Sequence, residues 1–348
     1  MSESLASEAR ATPGELRTEW SERAPESWDG WVEQAAGGSF AARQGFLDAL
    51  PLALPGAKVS YFTAWRGPRL AGAVPMTDVR RWGQRWAYSL PFGTYGGPLC
   101  DADDPDRSTV RASLAQAVLA WLIVQRVAGG EIARAPSSEA GPDPAWAQLA
   151  ETVVQGQAQI IDLEGRTFDD YASGLEKRTR ADLRRAQRGG VEIREDPAAL
   201  AAVHALYLEQ ARSWKGHRPY PLAFLRALVD HPSRLARLFV GRQEGEVTCG
   251  ILVLSAGREA FIWWSGASPA ARKSAAFPYL IVEIVRACSA AGATRVSLGS
   301  SSGMAPVEHF KKSLGATARP LWTYRLAPRA QGPAARLLLW ARALKRGR

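Results

Sequence analysis

The residues best suited to chemistry lie in the second half of the chain. Lys311, in HFKKSLG, can offset developing negative charge or a donor phosphate. It is expected on an exposed amphipathic helix, where its loss would leave stability nearly unchanged. His309 beside it reads as structural, and no carboxylate stands out as a general base. The block Glu176–Val191 carries six basic residues between Lys177 and Arg188 against one acid, Asp182. On a helix Arg180, Arg184 and Arg188 follow an i, i+4, i+8 line, so each planar fork could grip a successive phosphate. In ARSWKGHRPY, Lys215 and Arg218 stand beside Trp214 and Tyr220 as a holder for an anionic acceptor. Arg272 and Ser300, the latter in LGSSSG, complete the substrate-binding candidates. No Ser-His-Asp pattern, P-loop or GxGxxG supports a hydrolase, kinase or dehydrogenase.

The elements that must position these residues follow from the patterning. With 348 residues and roughly 150 per domain, about two domains are expected. Composition is that of a globular chain, with 46% hydrophobic and 22% charged residues. Residues 1–150 hold 14 Lys/Arg and 17 Asp/Glu, and residues 151–348 hold 30 and 17. The second half therefore expects an anionic partner. Cys100, Cys249 and Cys288 form no CxxC pair and the four histidines lack metal spacing, so neither a disulfide scaffold nor a metal site is expected. The N-terminus has no signal-peptide pattern and no apolar run reaches a membrane span, which predicts a cytoplasmic protein.

The expected organisation is a flexible segment 1–25, a first domain 26–150, a second domain 151–330 and a basic C-terminal helix 331–348. In the first half, helices at Trp28–Ala35 and Phe46–Leu50, the second ended by Pro51, precede strands Val59–Trp65, Leu70–Thr77 and Trp86–Leu90. A glycine loop, Ser89–Leu99, leads to a helix marked by Val110, Leu114 and Val118 and ended by Gly129–Gly130. The second half begins with strand Ala158–Leu163 and a helical block Asp169–Gln187. From Val191 the order is β-α-α-β-β-β-α-β-α-β, the order of the GNAT acyltransferase fold. The first half reads as a worn second copy, giving an α/β fold with a mixed sheet and tandem GNAT-like domains.

Four stretches resemble the Fem-type peptidyltransferases and their polysaccharide-linked relatives within the GNAT superfamily. They are the loop PFGTYGGPL, the Lys177–Val191 block, Ala211–Tyr220, and Leu298–Gly299 with Phe310, Lys311, Leu314 and Gly315. The resemblance spans about residues 45–326 and implies transfer of an acyl or aminoacyl group to an amine of an envelope precursor, peptidoglycan or polysaccharide. The chain lacks the coiled-coil insertion of tRNA-using members and has Leu298 where an acid is usual. The donor is thus left between aminoacyl-tRNA and acyl-CoA, with no tightly bound cofactor implied. For coenzyme A, a GNAT fold would cradle pyrophosphate at the loop within Phe261–Leu280. There Arg272, Ala275 and Phe277 stand where glycine-bearing spacing is usual, and Phe277 would crowd a phosphate.

Two other readings compete. An acyl-CoA-dependent N-acetyltransferase acting on a small amine or amino sugar keeps the fold and changes the substrates. A non-catalytic binder of RNA or another anionic polymer would use the 177–188 block and the 13 tryptophans as stacking platforms. In Pro333–Arg348, Leu337, Trp340 and Leu344 share one helical face flanked by basic residues. That pattern predicts peripheral contact with an anionic membrane. Nothing in the sequence sets an oligomeric state.

Overall fold

The computed structural model describes residues 15–81, 83–136, 141–214 and 216–327. The C-terminal helix expected at Pro333–Arg348 lies outside the described residues. In the first half, strand β1 (Leu16–Ser21) precedes helices α1 (Trp28–Gln34) and α2 (Gln44–Ala53). Strands β2 (Lys58–Arg66), β3 (Arg69–Arg81), β4 (Gln84–Tyr88) and the short β5 (Leu99–Cys100) follow. Helix α3 (Arg107–Val124), strand β6 (Gly129–Ala133) and helix α4 (Pro144–Leu149) close this half. The second half opens with β7 (Thr152–Asp162), α5 (Phe168–Ser173), α6 (Lys177–Arg188) and β8 (Glu192–Glu195). Next come α7 (Leu200–Ala211), α8 (Leu222–Val229), β9 (Ala236–Gln243), β10 (Glu246–Ala256) and β11 (Glu259–Ala267). The described residues close with α9 (Pro269–Lys273), α10 (Ala276–Ala290), β12 (Arg295–Ser300), α11 (Ala305–Ser313) and β13 (Thr317–Leu326).

All the strands join one sheet in the order β1-β2-β3-β4-β6-β13-β7-β12-β11-β10-β9-β8, with β5 on β3. Read inward from either end, the order is equivalent. The strands β1, β2, β3, β4 and β6 match β8, β9, β10, β11 and β12, and the two series meet at β13 and β7. In each series only the innermost pair, β4–β6 and β11–β12, is parallel. A parallel pair needs a crossover, supplied by α3 in one half and α10 in the other. The fold is thus a mixed α/β sheet built of tandem GNAT-like units. Because β13 sits between β6 and β7, the last strand among the described residues ties the two series together.

Helix α3 covers one face of the first series through Val110, Leu114, Val118 and Leu122. Helix α10 covers the matching face of the second through Leu280, Ile281, Ile284 and Val285. The other face of both series shares one core, in which α1 and α2 meet α7 and α8. Phe40 stacks on Phe261, and Phe46 meets Phe224 and Trp263.

Several local expectations are corrected. Leu16–Ser21, read as loose, pairs with β2 along its whole length. Pro51 lies inside α2, whose helix runs on to Ala53. Gly129 and Gly130 begin β6 instead of ending α3; a Cβ there would lie 2.7 Å from Trp86 and 2.9 Å from Leu122. The block Asp169–Gln187 is two helices, because Thr167 and Asp170 form a reciprocal capping box on α5 and the chain turns at Gly174 before α6.

Candidate active site

Strands β11 and β12 pair only at Glu259–Arg295, Ala260–Val296 and Phe261–Ser297, and then part. Each is pulled away by an irregularity on its other side. Strand β11 shifts register against β10 between Leu252 and Val253, which leaves Trp263 as an extra residue. Strand β12 shifts against β7 between Ser297 and Ser300, where Gly299 has φ +71°. Such bulges bend a strand and re-aim its side chains. A Cβ on Gly299 would lie 3.2 Å from the Phe261 ring, a tight contact at a left-handed residue that glycine adopts without strain.

Lys311 stands on the β12 side of this opening. Its Nζ donates to the carbonyls of Gly299 and Ser300 at 3.0 and 2.8 Å. Two of its three N–H groups are thereby used and one is left for a ligand. Burial lowers the ammonium to about 8 from its ordinary 10.5. The expected exposed lysine is therefore corrected: Lys311 is half-buried and ties the end of β12 to α11. Ser300 Oγ accepts from Ser302 N–H at 3.0 Å and shapes the turn after the strand. His309, read as structural, is exposed on α11.

The β11 side is aromatic. The bulge puts the neighbours Trp263 and Trp264 on one face, where regular alternation would separate them. Trp263 stacks on Tyr220 at 5.1 Å, and Tyr220 lies parallel to Tyr207 at 6.2 Å. Tyr220 N–H donates to the Tyr207 hydroxyl at 3.0 Å, and that hydroxyl lies 2.7 Å from His217 Nε2. Trp214 contacts both Tyr207 and His217 and is 45% exposed. From the first half, Phe92 lies edge-on to Tyr220 at 4.9 Å. The connection between α7 and α8 thus brings Trp214 and Tyr220 together over β11, with Arg218 exposed beside them. Lys215 lies outside the described residues. Sequence reasoning passed over Tyr207, His217, Trp263, Trp264 and Phe92. The available signal was two adjacent tryptophans inside a strand, which marks a bulge.

The basic helix α6 is only partly available. Arg180 donates to the carbonyls of Ser173 and Leu175 at 2.6 and 2.8 Å, so it locks the turn into α6. The expected line 180–184–188 is thereby corrected. Lys177, Arg184 and Arg188, at i, i+7 and i+11, form the exposed cationic stripe. Arg185 is held by Asp182 at 3.1 Å.

Several amides of the loop after β11 are already bonded within the chain. Ser268 Oγ accepts from Ala271 N–H. The amides of Ser274, Ala275 and Tyr279 donate within the chain, and Pro278 has none. Ala275 takes the left-handed conformation, φ +61°, that glycine would fill without strain. Arg272 is exposed on α9. Phe277, expected to crowd a phosphate, stacks on Phe310 at 6.3 Å and bridges the start of α10 to α11.

Comparison with known proteins agrees with this geometry. Residues 174–312 match the acetyltransferase (GNAT) domain family. FemX superposes over 92% of this chain and 100% of its own, with a TM-score of 0.73 at 13% identity. A tandem GNAT protein from the clavulanic acid biosynthesis pathway covers 89% of this chain and 98% of its own, TM-score 0.52, 15% identity. The C-terminal domain of a protein designated a lysylphosphatidylglycerol synthetase, from Agrobacterium fabrum, covers 78% and 85%, TM-score 0.50, 14% identity. Among curated proteins none matches the chain. No helix among the described residues is long and apolar enough to cross a membrane. Residues 174–312 thus match the acetyltransferase (GNAT) domain family and form the second unit of a tandem fold similar to that of FemX.

Proposed function

We propose that the protein transfers an aminoacyl group from charged tRNA to an amine of a cell-envelope precursor, within the opening between β11 and β12. The observation that carries this reading is the Lys311 ammonium, fixed by two strand-end carbonyls with one N–H to spare. The acceptor amine attacks the ester carbonyl, a C–N bond forms, and negative charge gathers on the carbonyl oxygen. Lys311 stabilises that oxyanion, and collapse breaks the ester C–O bond as the ribose oxygen leaves with the proton that the attacking amine gives up. The aromatic wall of Tyr220, Trp263 and Trp214, with Arg218, receives the acceptor. Lys177, Arg184 and Arg188 meet the anionic donor backbone.

An ester donor is favoured over acyl-CoA by the loop after β11, where the Ser274 and Ala275 amides are bonded within the chain and no glycine stands at Arg272–Phe277. A purely polymer-binding role is disfavoured by the tryptophans, since Trp28, Trp121, Trp146 and Trp264 are core residues. Incubation with charged tRNA and with acyl-CoA, each with an amine acceptor, tests the proposal. Amide formation from charged tRNA alone supports it. Turnover of acyl-CoA alone contradicts the donor, and saturable RNA binding without turnover contradicts the transferase.

A further inference from the structure

We propose that the first half carries a saccharide-binding pocket at the end of α3, where Trp20 stacks on a sugar ring and Asp78 accepts from its hydroxyls. The cavity measures about 330 Å³ and takes all its lining from residues 20–125. That is the lower end of the ~300–1,000 Å³ typical of small-ligand sites. It shares no residue with the β11–β12 opening, whose rim is formed by Lys311 and the aromatic wall.

The pocket follows from a change of character along one face of the sheet. By strand alternation, Ser60, Asp78 and Arg85 share the face of Phe62, Met76 and Ala87, which are core beneath α3. Trp20 pairs with Phe62 across β1–β2 and lies on the same face. Helix α3 stops at Val124, and Arg85 Nη1 donates to the Gln125 carbonyl at 3.0 Å, which fixes the helix end over the start of β4. Beyond that point the same face turns polar.

The lining selects the ligand. Trp20 is 48% exposed and stands edge-on to Trp121 at 6.4 Å and 61°. Trp121 is itself buried, against Phe62 at 5.4 Å and with the Arg85 guanidinium 5.9 Å from its ring. One indole face is thus offered with no second ring parallel to it. That suits the C–H face of a sugar and gives a flat base no sandwich. Arg85 donates to Asp78 Oδ2 from Nε at 2.8 Å and from Nη2 as well. The other carboxylate oxygen, Oδ1, is buried with no hydrogen-bond partner among the described residues. A buried acceptor left unpaired is costly, and a sugar hydroxyl supplies the missing donor. Charge is close to balanced. Arg85 is paired with Asp78, and the rim carries exposed Lys58 and Arg80 with exposed Glu22. Such a balance fits a neutral polyol better than a phosphate ester or a polyamine. The inference does not rest on the transfer reaction.

Saturation-transfer NMR of the full chain with N,N′-diacetylchitobiose and with maltose is the test. Expected is saturable binding of at least one sugar, weakened about tenfold in Trp20→Ala, the scale of losing one aromatic contact. In Trp214→Ala, which removes the exposed indole of the second half, binding should be unchanged. Asp78→Asn keeps the side-chain volume and removes the charged acceptor, so it should weaken binding about threefold and gives the same reading if Trp20→Ala does not fold. Absence of saturable binding of both sugars, or a loss in Trp214→Ala equal to that in Trp20→Ala, would overturn the proposal.

Discussion

Both halves of the sheet open a parallel strand pair after three residue pairs, and the chain treats the two openings in opposite ways. In the first, the loop Ser89–Pro98 is stitched across the gap. Ser89 N–H donates to Glu131 O at 2.7 Å, Ala133 N–H to Ser89 Oγ at 2.9 Å, and Gly96 N–H to Ala133 O at 3.1 Å. In the second, among the described residues, no ladder bond joins the strands beyond Phe261 and Ser297, and the rim carries Lys311 on one side and aromatic rings on the other. The opening is thus a property of the fold, and only the second one, the proposed reaction site, is left unfilled by the chain. The loop that fills the first also braces the second. Its Tyr95 packs on Phe261 at 5.9 Å and bonds Glu259 at the closed end.

The largest expected effect comes from emptying the second rim. Lys311→Ala should lower turnover by ~10²–10³, the scale of losing one preorganised donor. An unchanged rate in a folded variant would remove Lys311 from the reaction. Wild-type turnover should also fall above pH 8, as the Lys311 ammonium, held at about 8, loses its proton. The linkage sign is opposite for stability. A lysine in the unfolded chain stays protonated to about 10.5, so the unfolded state binds more protons between pH 8 and 10.5 and this residue's contribution improves with pH there. Denaturant melts of wild type and Lys311→Met across that window should differ in slope accordingly.

Forcing the plug out of the first opening comes next. A Cβ on Gly96 would lie 2.0 Å from Leu90 Cδ1 and 2.9 Å from Ser89 O. Gly96→Val should cost roughly 1–3 kcal/mol through overpacking, read by urea denaturation. Tyr95→Phe removes the brace and leaves the buried Glu259 carboxyl without its hydroxyl donor, at ~1–3 kcal/mol. Glu259→Gln should be much milder at neutral pH. The Glu259 carboxyl is raised in the folded state, so its ionisation opposes folding as pH climbs above the ordinary carboxylate range. The smallest effects are expected on α6. Arg184→Ala and Arg188→Ala should leave stability unchanged and each reduce the salt slope of tRNA binding by about 1, whereas Arg180→Ala should lower stability through its two lost carbonyl bonds.

The element order from Val191 was legible because each element has its own hydrophobic period, and that order alone identified the fold. Lys311 was legible as chemistry by type and neighbourhood, but its burial was not. That depends on the carbonyls of Gly299 and Ser300, which a bulge in β12 turns toward α11. The same limit hid the aromatic wall, since the partners of Trp263 are Tyr220, Phe46 and Phe224 from three other elements. Arg180 shows the converse. Its helical spacing promised a phosphate contact, and a local backbone turn claimed the side chain instead. Periodicity reports which face a residue occupies, and only the tertiary turn decides what that face meets.

The open pair β11–β12, and not the plugged pair β4–β6, is expected to receive the donor. Photocrosslinking with charged tRNA bearing a photoreactive aminoacyl group, followed by peptide mapping, tests it most directly. Adducts are expected in residues 262–267 and 298–311. Adducts confined to residues 84–98 and 129–133 would contradict the account.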